Sequence, residues 1–363
     1  MTSTLTRGDA NPTTNSLATG RLPAWAPWVI LGASWAAFTV IFAIVAAASG
    51  AQFNIAAALL LGTVTFNIVL FVVSRLSEGR RKAADRLVTS LVSTAFIVAL
   101  LPLVSLLYTV VSNGLGRFDL DFFSQSMRNV VGEGGGALHA IVGTLLITAM
   151  ATLISVPVGI LAAIYLVEYG RGALARAITF FVDVMTGIPS IVAGLFAYAL
   201  FSLLFDEPGI RFGFGGSVAL SLLMIPVVVR SSEEMLRIVP NELREASYAL
   251  GVPKWLTISK VVIPTALAGI TTGITLAIAR VIGETAPLLI IAGFTTSMNY
   301  DIFDGRIMTL PVYVFNQYAL PGNDVALYLE RAWAGALTLI IIVMALNLLA
   351  RFIARAFSPK LGR

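Results

Sequence analysis

Eight runs of apolar residues, separated by polar or charged stretches, set the pattern of the chain: roughly 24–48, 53–73, 87–111, 138–167, 177–205, 217–229, 261–294 and 332–350. A helix of about 20 apolar residues crosses the ~30 Å hydrocarbon of a bilayer, so the pattern predicts about eight transmembrane helices. The sixth run is short for a single crossing and the seventh is long. Residues 1–22, rich in Thr, Asn and Ser, carry too little apolar surface to bury and read as a disordered tail. The first run is about twice the apolar length of a secretory signal, so a retained helix is expected.

The polar segments sort by charge. Of the 24 Lys and Arg residues, 18 fall on one side of the eight runs and five (Arg117, Arg128, Arg211, Arg306, Arg331) on the other, with Arg280 inside run seven. An excess of basic residues marks the cytoplasmic side, so both termini are expected inside. The resulting division is a cytoplasmic tail 1–22, an accessory transmembrane hairpin 23–74, a basic cytoplasmic loop 75–86, a main transmembrane domain 87–357 that includes a cytoplasmic segment 231–264, and a cytoplasmic tail 358–363.

Composition strengthens this picture. The 363 residues are 58% hydrophobic and 12% charged, with a mean hydropathy of +0.90. An all-α, polytopic integral membrane bundle follows, and the net charge of +5 belongs to its loops, not to a nucleic-acid face. No cysteine is present, and His139 is the one histidine, which excludes disulfides, thiol nucleophiles and His-rich metal clusters. His139, near the outer mouth, reads as a solvated or interfacial residue. The outer loops mix acids with aromatics, a composition that would suit a rim receiving another protein. No G-x-x-x-x-G-K-[ST] phosphate loop occurs, so ATP hydrolysis of the P-loop kind is not expected of this chain.

One segment breaks the apolar pattern: "ELREASYALGVPKWLTISKVVIP", residues 242–264. Asn241 is a candidate N-cap, Glu242 suits the first turn, Gly251 suits a left-handed end, and Pro253 prevents continuation. The spacing predicts a helix of about nine residues. Leu243, Ala246, Ser247 and Leu250 form a modestly apolar face, flanked by Glu242, Arg244 and Glu245. Such a helix suits docking into a groove of another protein. The blander alternative is a connector in the headgroup layer, anchored by Trp255.

Run seven holds Arg280 and Glu284, and a charge at bilayer depth costs about 2.5–3.5 kcal/mol unless it faces a cavity or a partner. Gly273, Ala277 and Pro287 share their expected face. Three readings stay open: a self-neutralising i,i+4 pair, a pairing across a subunit interface, and an arginine offered to an oxyanion. Gly269-x-x-x-Gly273 permits close helix contact. Pro287 interrupts run seven, and Gly187–Ile188–Pro189–Ser190 interrupts run five, as helices do where they line a cavity. Thr144, Thr148, Thr152 and Ser155 form a hydroxyl seam that either lines that cavity or bonds its own backbone and packs. Asp183 receives no role, except in the alternative of a proton-coupled carrier using Glu284 and Asp183.

Glu245-Ala246-Ser247, three residues, Gly251, nine residues, then Val261-x-Ile263-Pro264 resembles the EAA loop of ABC-importer permeases, with Ser247, Val261 and Ile263 as mild departures. "FFVDVMTGIPSIVAGLF", "ARVIGETAPLL" and "RAWAGALTLIIIVMALNLLARFIAR" extend the resemblance, from about Leu87 onward, to the PstA family of phosphate permeases. The resemblance implies a type I (MetI-like) core of six helices, to which the hairpin at 24–73 is an addition. It further implies a PstC-like sister permease, a PstB-like ATPase dimer that binds ATP and Mg, a PstS-like phosphate-binding protein, inorganic phosphate as cargo, and no cofactor or enzymatic activity in this chain. Carried over residue by residue, Glu245, Ala246 and Gly251, with Glu242, Arg244 and Ser247 on the same helix, would couple to the ATPase. Arg280, Glu284 and Thr285 would lie on the path, and Thr144, Thr148, Thr152, Pro189 and Ser190 would line it. Sulfate or molybdate remains open as cargo, and a membrane scaffold is a further alternative.

Overall fold

Where apolar side chains recur without a polar face, a helix gains nothing by folding onto water, and the chain is accordingly helical almost throughout. The computed structural model describes residues 22–50 and 52–357. The expected tail 358–363, and all of the expected tail 1–22 except Leu22, lie outside the described residues. The described chain divides into two compact units at Leu107.

The first unit holds α1 (Ala26–Ser49), α2 (Ile55–Ser77) and most of α3 (Arg80–Gly114). Asn54 caps α2 by accepting from the Ala57 N–H at 3.0 Å. Gly62 lets the hairpin close, because a Cβ there would stand 2.8 Å from Trp35 Cδ1, and the Trp35 indole donates to Thr63 Oγ1 at 3.0 Å. Only Glu78 and Gly79 separate α2 from α3, so most of the expected basic loop 75–86 is helix instead. The physical reason is Glu78. Its carboxylate accepts two bonds from Arg86 (2.6 and 3.0 Å), one from Ser74 Oγ and one from the Leu22 N–H. The Arg86 hydrogen bond holds its pKa down at about 2.

The second unit begins within α3 and continues through a short 3₁₀ turn (Leu115–Arg117), α4 (Leu120–Ser124), α5 (Leu138–Ile164) and a five-residue π-turn (Tyr165–Tyr169). Next come α6 (Ala173–Thr186), α7 (Ser190–Phe205), α8 (Gly213–Ile238), α9 (Asn241–Ala249) and α10 (Lys254–Thr257). A second π-turn (Ile258–Val262), α11 (Ile263–Val281), α12 (Ala286–Ile291), α13 (Leu310–Ala319) and α14 (Val325–Phe357) complete it. Helix α8 is the axis, with 67% of its most apolar stretch buried, against 28% for α5 and 11% for α14. Ser217 and Ser221 on α8 reach the Ile147 and Ala151 carbonyls of α5 at 3.1 and 3.4 Å, and Gly159 of α5 lies against Val228, so the two helices run parallel.

Among the described residues, seven helices are long and apolar enough to cross a membrane, and there is an eighth crossing if α6 and α7 count as one. The interruption expected in run five is present, and two other spans need correction. Run five bends by 111° between α6 and α7, because Pro189 has no N–H to donate and disfavours helical geometry in the residue before it. Run six extends at both ends, to Gly213–Ile238. Run seven stops at Val281 and restarts at Ala286.

Candidate functional site

Helix α9 follows α8 after an extended Val239–Pro240 link. Asn241 is not its N-cap: Pro240 occupies that position, and Asn241 is the first helical residue. The Asn241 Oδ1 instead accepts from Arg244 Nη1 at 3.3 Å. Gly251, at φ +74°, ends the helix in a conformation costly for other residues.

The face assignment of α9 divides. Glu242, Glu245 and Ala246 are exposed as expected, together with Leu243 and Leu250. Ser247 is buried and shares a 2.8 Å hydrogen bond with Thr257 on α10. Arg244, expected on a docking flank, points inward. Its guanidinium donates to Glu168 Oε1 (2.9 and 3.0 Å) and to the Val239 and Leu236 carbonyls (2.6 and 2.9 Å). It thereby bolts α9 to the exposed carbonyls that end α8 and to the π-turn that ends α5. Side-chain exposure is 12% for Arg244 and 5% for Glu168, so unmaking this pair alone costs about 3–5 kcal/mol. Lys254 adds a second fastening, donating to the Glu168 carbonyl and lying 4.6 Å over the Tyr169 ring. Glu168 was missed in the sequence because its partners lie 76 and 86 residues away; the one trace is a lone acid closing an apolar run.

From Lys254 to Val281 the chain is one 28-residue helical span. Thr257 and Arg280 are therefore on one rod, about 35 Å apart at 1.5 Å per residue. This rod lies along α8. A Cβ at Gly269 would collide with Met235, and one at Gly273 with Ser231. Beyond the break, Gly216 meets Leu288. Between these pairs the steps along one helix equal the steps back along the other, so a single antiparallel register survives the break. That register sets Arg280 level with Met224, near the middle of the 26-residue α8.

Two expectations about this segment change. Gly273 and Ala277 are buried against neighbours whereas Arg280 is exposed, so small and charged residues occupy different faces. Arg280 and Glu284 form no ion pair among the described residues, because the helix ends at Val281 and Glu284 sits in the turn, its N–H bonded to the Val281 carbonyl at 3.1 Å. The self-neutralising reading is excluded for this structure. Glu284 and Thr285 are half-buried, and the Thr285 carbonyl accepts from Leu289 to start α12.

The two interruptions meet. A Cβ on Gly194, in the first turns of α7, would stand 2.6 Å from Pro287 Cα. The segments after Pro189–Ser190 and after Glu284–Thr285 are thus packed together, with Pro189 exposed and Ser190 half-buried. Asp183 of α6 pairs with Arg230 of α8, and Arg230 also bonds Glu233 (2.9 Å), which in turn holds Arg237 at 2.6 Å. Sequence inspection gave Asp183 no role; its partner is 47 residues away.

The hydroxyl seam packs. Thr144 and Thr152 donate to the Ala140 and Thr148 carbonyls (2.7 and 2.8 Å), and Thr144 also accepts the Leu310 N–H that opens α13. Thr144, Thr148 and Ser155 are buried, so within this chain they line no open cavity. His139 is likewise not solvated: it is 1% exposed, edge-on to Tyr313 at 5.8 Å.

The second unit is thus a bundle of membrane-length helices with a short helix, α9, at one end and a charged break level with the middle of α8. The chain belongs to the family described as "Binding-protein-dependent transport system inner membrane component", whose model matches residues 155–363. It is 47% identical over 283 residues to the phosphate transport system permease protein PstA 1 of Mycobacterium tuberculosis, covering 76% of this chain and 90% of that one. The PstA of Pasteurella multocida is 39% identical over 272 residues, covering 75% and 94%. Among solved structures, a bacterial ABC transporter involved in import of the acidic polysaccharide alginate aligns with a TM-score of 0.51 at 14% identity, over 76% of this chain and 97% of that one, a likeness of fold.

Proposed function

We propose that this chain is the PstA-type permease subunit of an ATP-driven phosphate importer, forming half of the translocation path and having no enzymatic activity of its own. The PstA names of relatives up to 47% identical support phosphate as cargo, and they give no support to another oxyanion, a proton-driven carrier or a scaffold. In this reading α9 faces the cytoplasm, as do both termini, and the partners are a PstC-like permease, a PstB-like ATPase dimer holding ATP and Mg, and a PstS-like delivery protein. The basic residues clustered at the α9 end support that orientation.

The observation that carries the mechanism is the rod from Thr257 to Arg280. The exposed Glu242, Glu245 and Ala246 would seat α9 in the ATPase. Arg244 and Ser247 then act as fastenings inside this chain, so motion of α9 passes to α5, α8 and α11 together. Arg280, without an anionic partner among the described residues, would meet phosphate bidentately at mid-depth. Glu284 and Thr285, in the adjoining turn, would set the field and hydrogen bonding around it. Uptake of labelled phosphate by the reconstituted complex tests this. Arg280→Ala is expected to abolish uptake, and Arg280→Lys to reduce it strongly. Normal transport by both at matched assembly would refute the assignment, and uptake that follows a proton gradient without ATP would favour the carrier.

A further inference from the structure

The end of the second unit opposite α9 carries a second pair of arginines that the proposed path does not use. Arg211 precedes α8, and Arg306 belongs to the loop before α13. Both side chains cross Gly293: a Cβ there would stand 3.0 Å from Arg211 Cδ and 3.3 Å from Arg306 Cδ. Gly293 also has φ +82°, so this crossing place is reserved for glycine twice over. The backbone fixes both arms. The Phe212 N–H bonds the Ile291 carbonyl at 2.9 Å, the Ile307 N–H bonds the Ala292 carbonyl at 3.2 Å, and Asn299 Nδ2 holds the Asp304 and Arg306 carbonyls at 2.8 and 3.2 Å.

Arg211 and Arg306 line a cavity of about 440 Å³ together with Glu207, Asp304, Phe212 and Phe303. Among the described residues neither arginine has an ion-pair partner, although both carboxylates share the cavity. Two arginines on one cavity, without an ion-pair partner among the described residues, attract an oxyanion. Ionised carboxylates beside them only accept hydrogen bonds, so they repel a fully deprotonated oxyanion and welcome one that still carries O–H groups. Inorganic phosphate at neutral pH carries such a proton; sulfate does not. The pocket also continues the register of α8 and the broken helix, since Gly293 meets Arg211 five residues beyond the Gly216–Leu288 contact on each strand of the pair. Along that axis it lies about 20 Å from the level of Arg280.

We propose that Arg211 and Arg306 form an entry subsite for proton-bearing phosphate, selected by Glu207 and Asp304, from which the anion passes inward to Arg280. This deepens the proposed function and rests on its orientation. The test uses the complete complex in lipid nanodiscs without a delivery protein, in an Arg280→Gln background so that the central arginine does not contribute, titrated with ³²P-labelled inorganic phosphate. Saturable binding is expected, weakened about tenfold or more by R211Q/R306Q, partly kept by R211K/R306K, and poorly displaced by sulfate. E207Q/D304N is expected to let sulfate compete as well as phosphate. Absence of binding, or binding unchanged in R211Q/R306Q, overturns the subsite. So does loss of uptake in R211Q/R306Q, in the native background, with phosphate binding intact, which would mark the pocket as a docking surface. Normal uptake by Arg280→Gln alone would overturn the inner path and leave the entry subsite standing on its own binding data.

Discussion

Arg244 and Arg280 lie toward opposite ends of one route through the second unit, and their surroundings differ in kind. Arg244 spends its donors on a carboxylate, an amide oxygen and two helix-ending carbonyls of this same chain. Arg280, level with the middle of α8, has no anionic partner among the described residues and is exposed. A satisfied guanidinium serves as a joint, whereas an unsatisfied one at bilayer depth is costly unless something else meets it. The difference separates what transmits motion from what touches cargo, and it can be attacked from both ends.

The largest effect is expected from Arg244→Ala, which leaves Glu168 buried without its cation: chemical denaturation should show a loss of about 3–5 kcal/mol. The double replacement R244M/E168M should recover most of it. If the single change costs nothing, the joint is not a joint. Next comes Gly273→Val, which drives a side chain into Ser231 and separates the rod from α8. About 1–3 kcal/mol of stability should be lost, with ATP hydrolysis persisting while phosphate uptake falls. Uptake and hydrolysis declining in parallel would argue against a rigid rod.

The Glu78–Arg86 pair sharpens the comparison with a second satisfied guanidinium. Glu78 titrates near 2 when folded, below its ordinary 4.5. A depressed carboxylate pKa gives stability that is fully present above pH 4.5 and lost as the pH falls toward 2. Glu78→Gln should flatten that acid limb in a pH series of melting temperatures, and an unchanged limb would remove the pair from the account. The smallest effect on stability should come from Arg280→Ala, within about 0.5 kcal/mol as for surface sites. A larger loss would mean that Arg280, too, is structural.

Much of this was legible in the chain. Apolar run lengths placed α1, α2 and α5 to within a few residues, whereas α3, α8 and α14 run well past their apolar runs, because polar residues continue a helix whose backbone bonds are already internal. Pro189 marked the interruption of run five, and Pro287 lies just past that of run seven. The spacing Glu245-Ala246-Ser247 to Gly251 located α9. What resisted was direction. Whether Arg244 and Ser247 face in or out depends on Glu168 and Thr257, and no periodicity within nine residues encodes a partner 76 residues away. The hydroxyls of α5 raised the same difficulty: Thr144 is polar by type, yet its neighbour is the N–H of Leu310, 166 residues distant. Gly269-x-x-x-Gly273 signalled a close helix contact but not its partner, which is Met235 and Ser231 of α8, and the Gly159 contact with Val228 carried no such signal.

The π-turns at Tyr165–Tyr169 and Ile258–Val262 flank the α9 fastenings, one at the end of α5 and one at the root of α11. Such a turn carries an extra residue that an ordinary helical turn would expel. Passing that residue along would advance the helix by about 1.5 Å and swivel it by about 100°. The extra residue at the root of α11 therefore stands below Ile263, where a step of that kind would carry Ile263 to Arg280 as one piece.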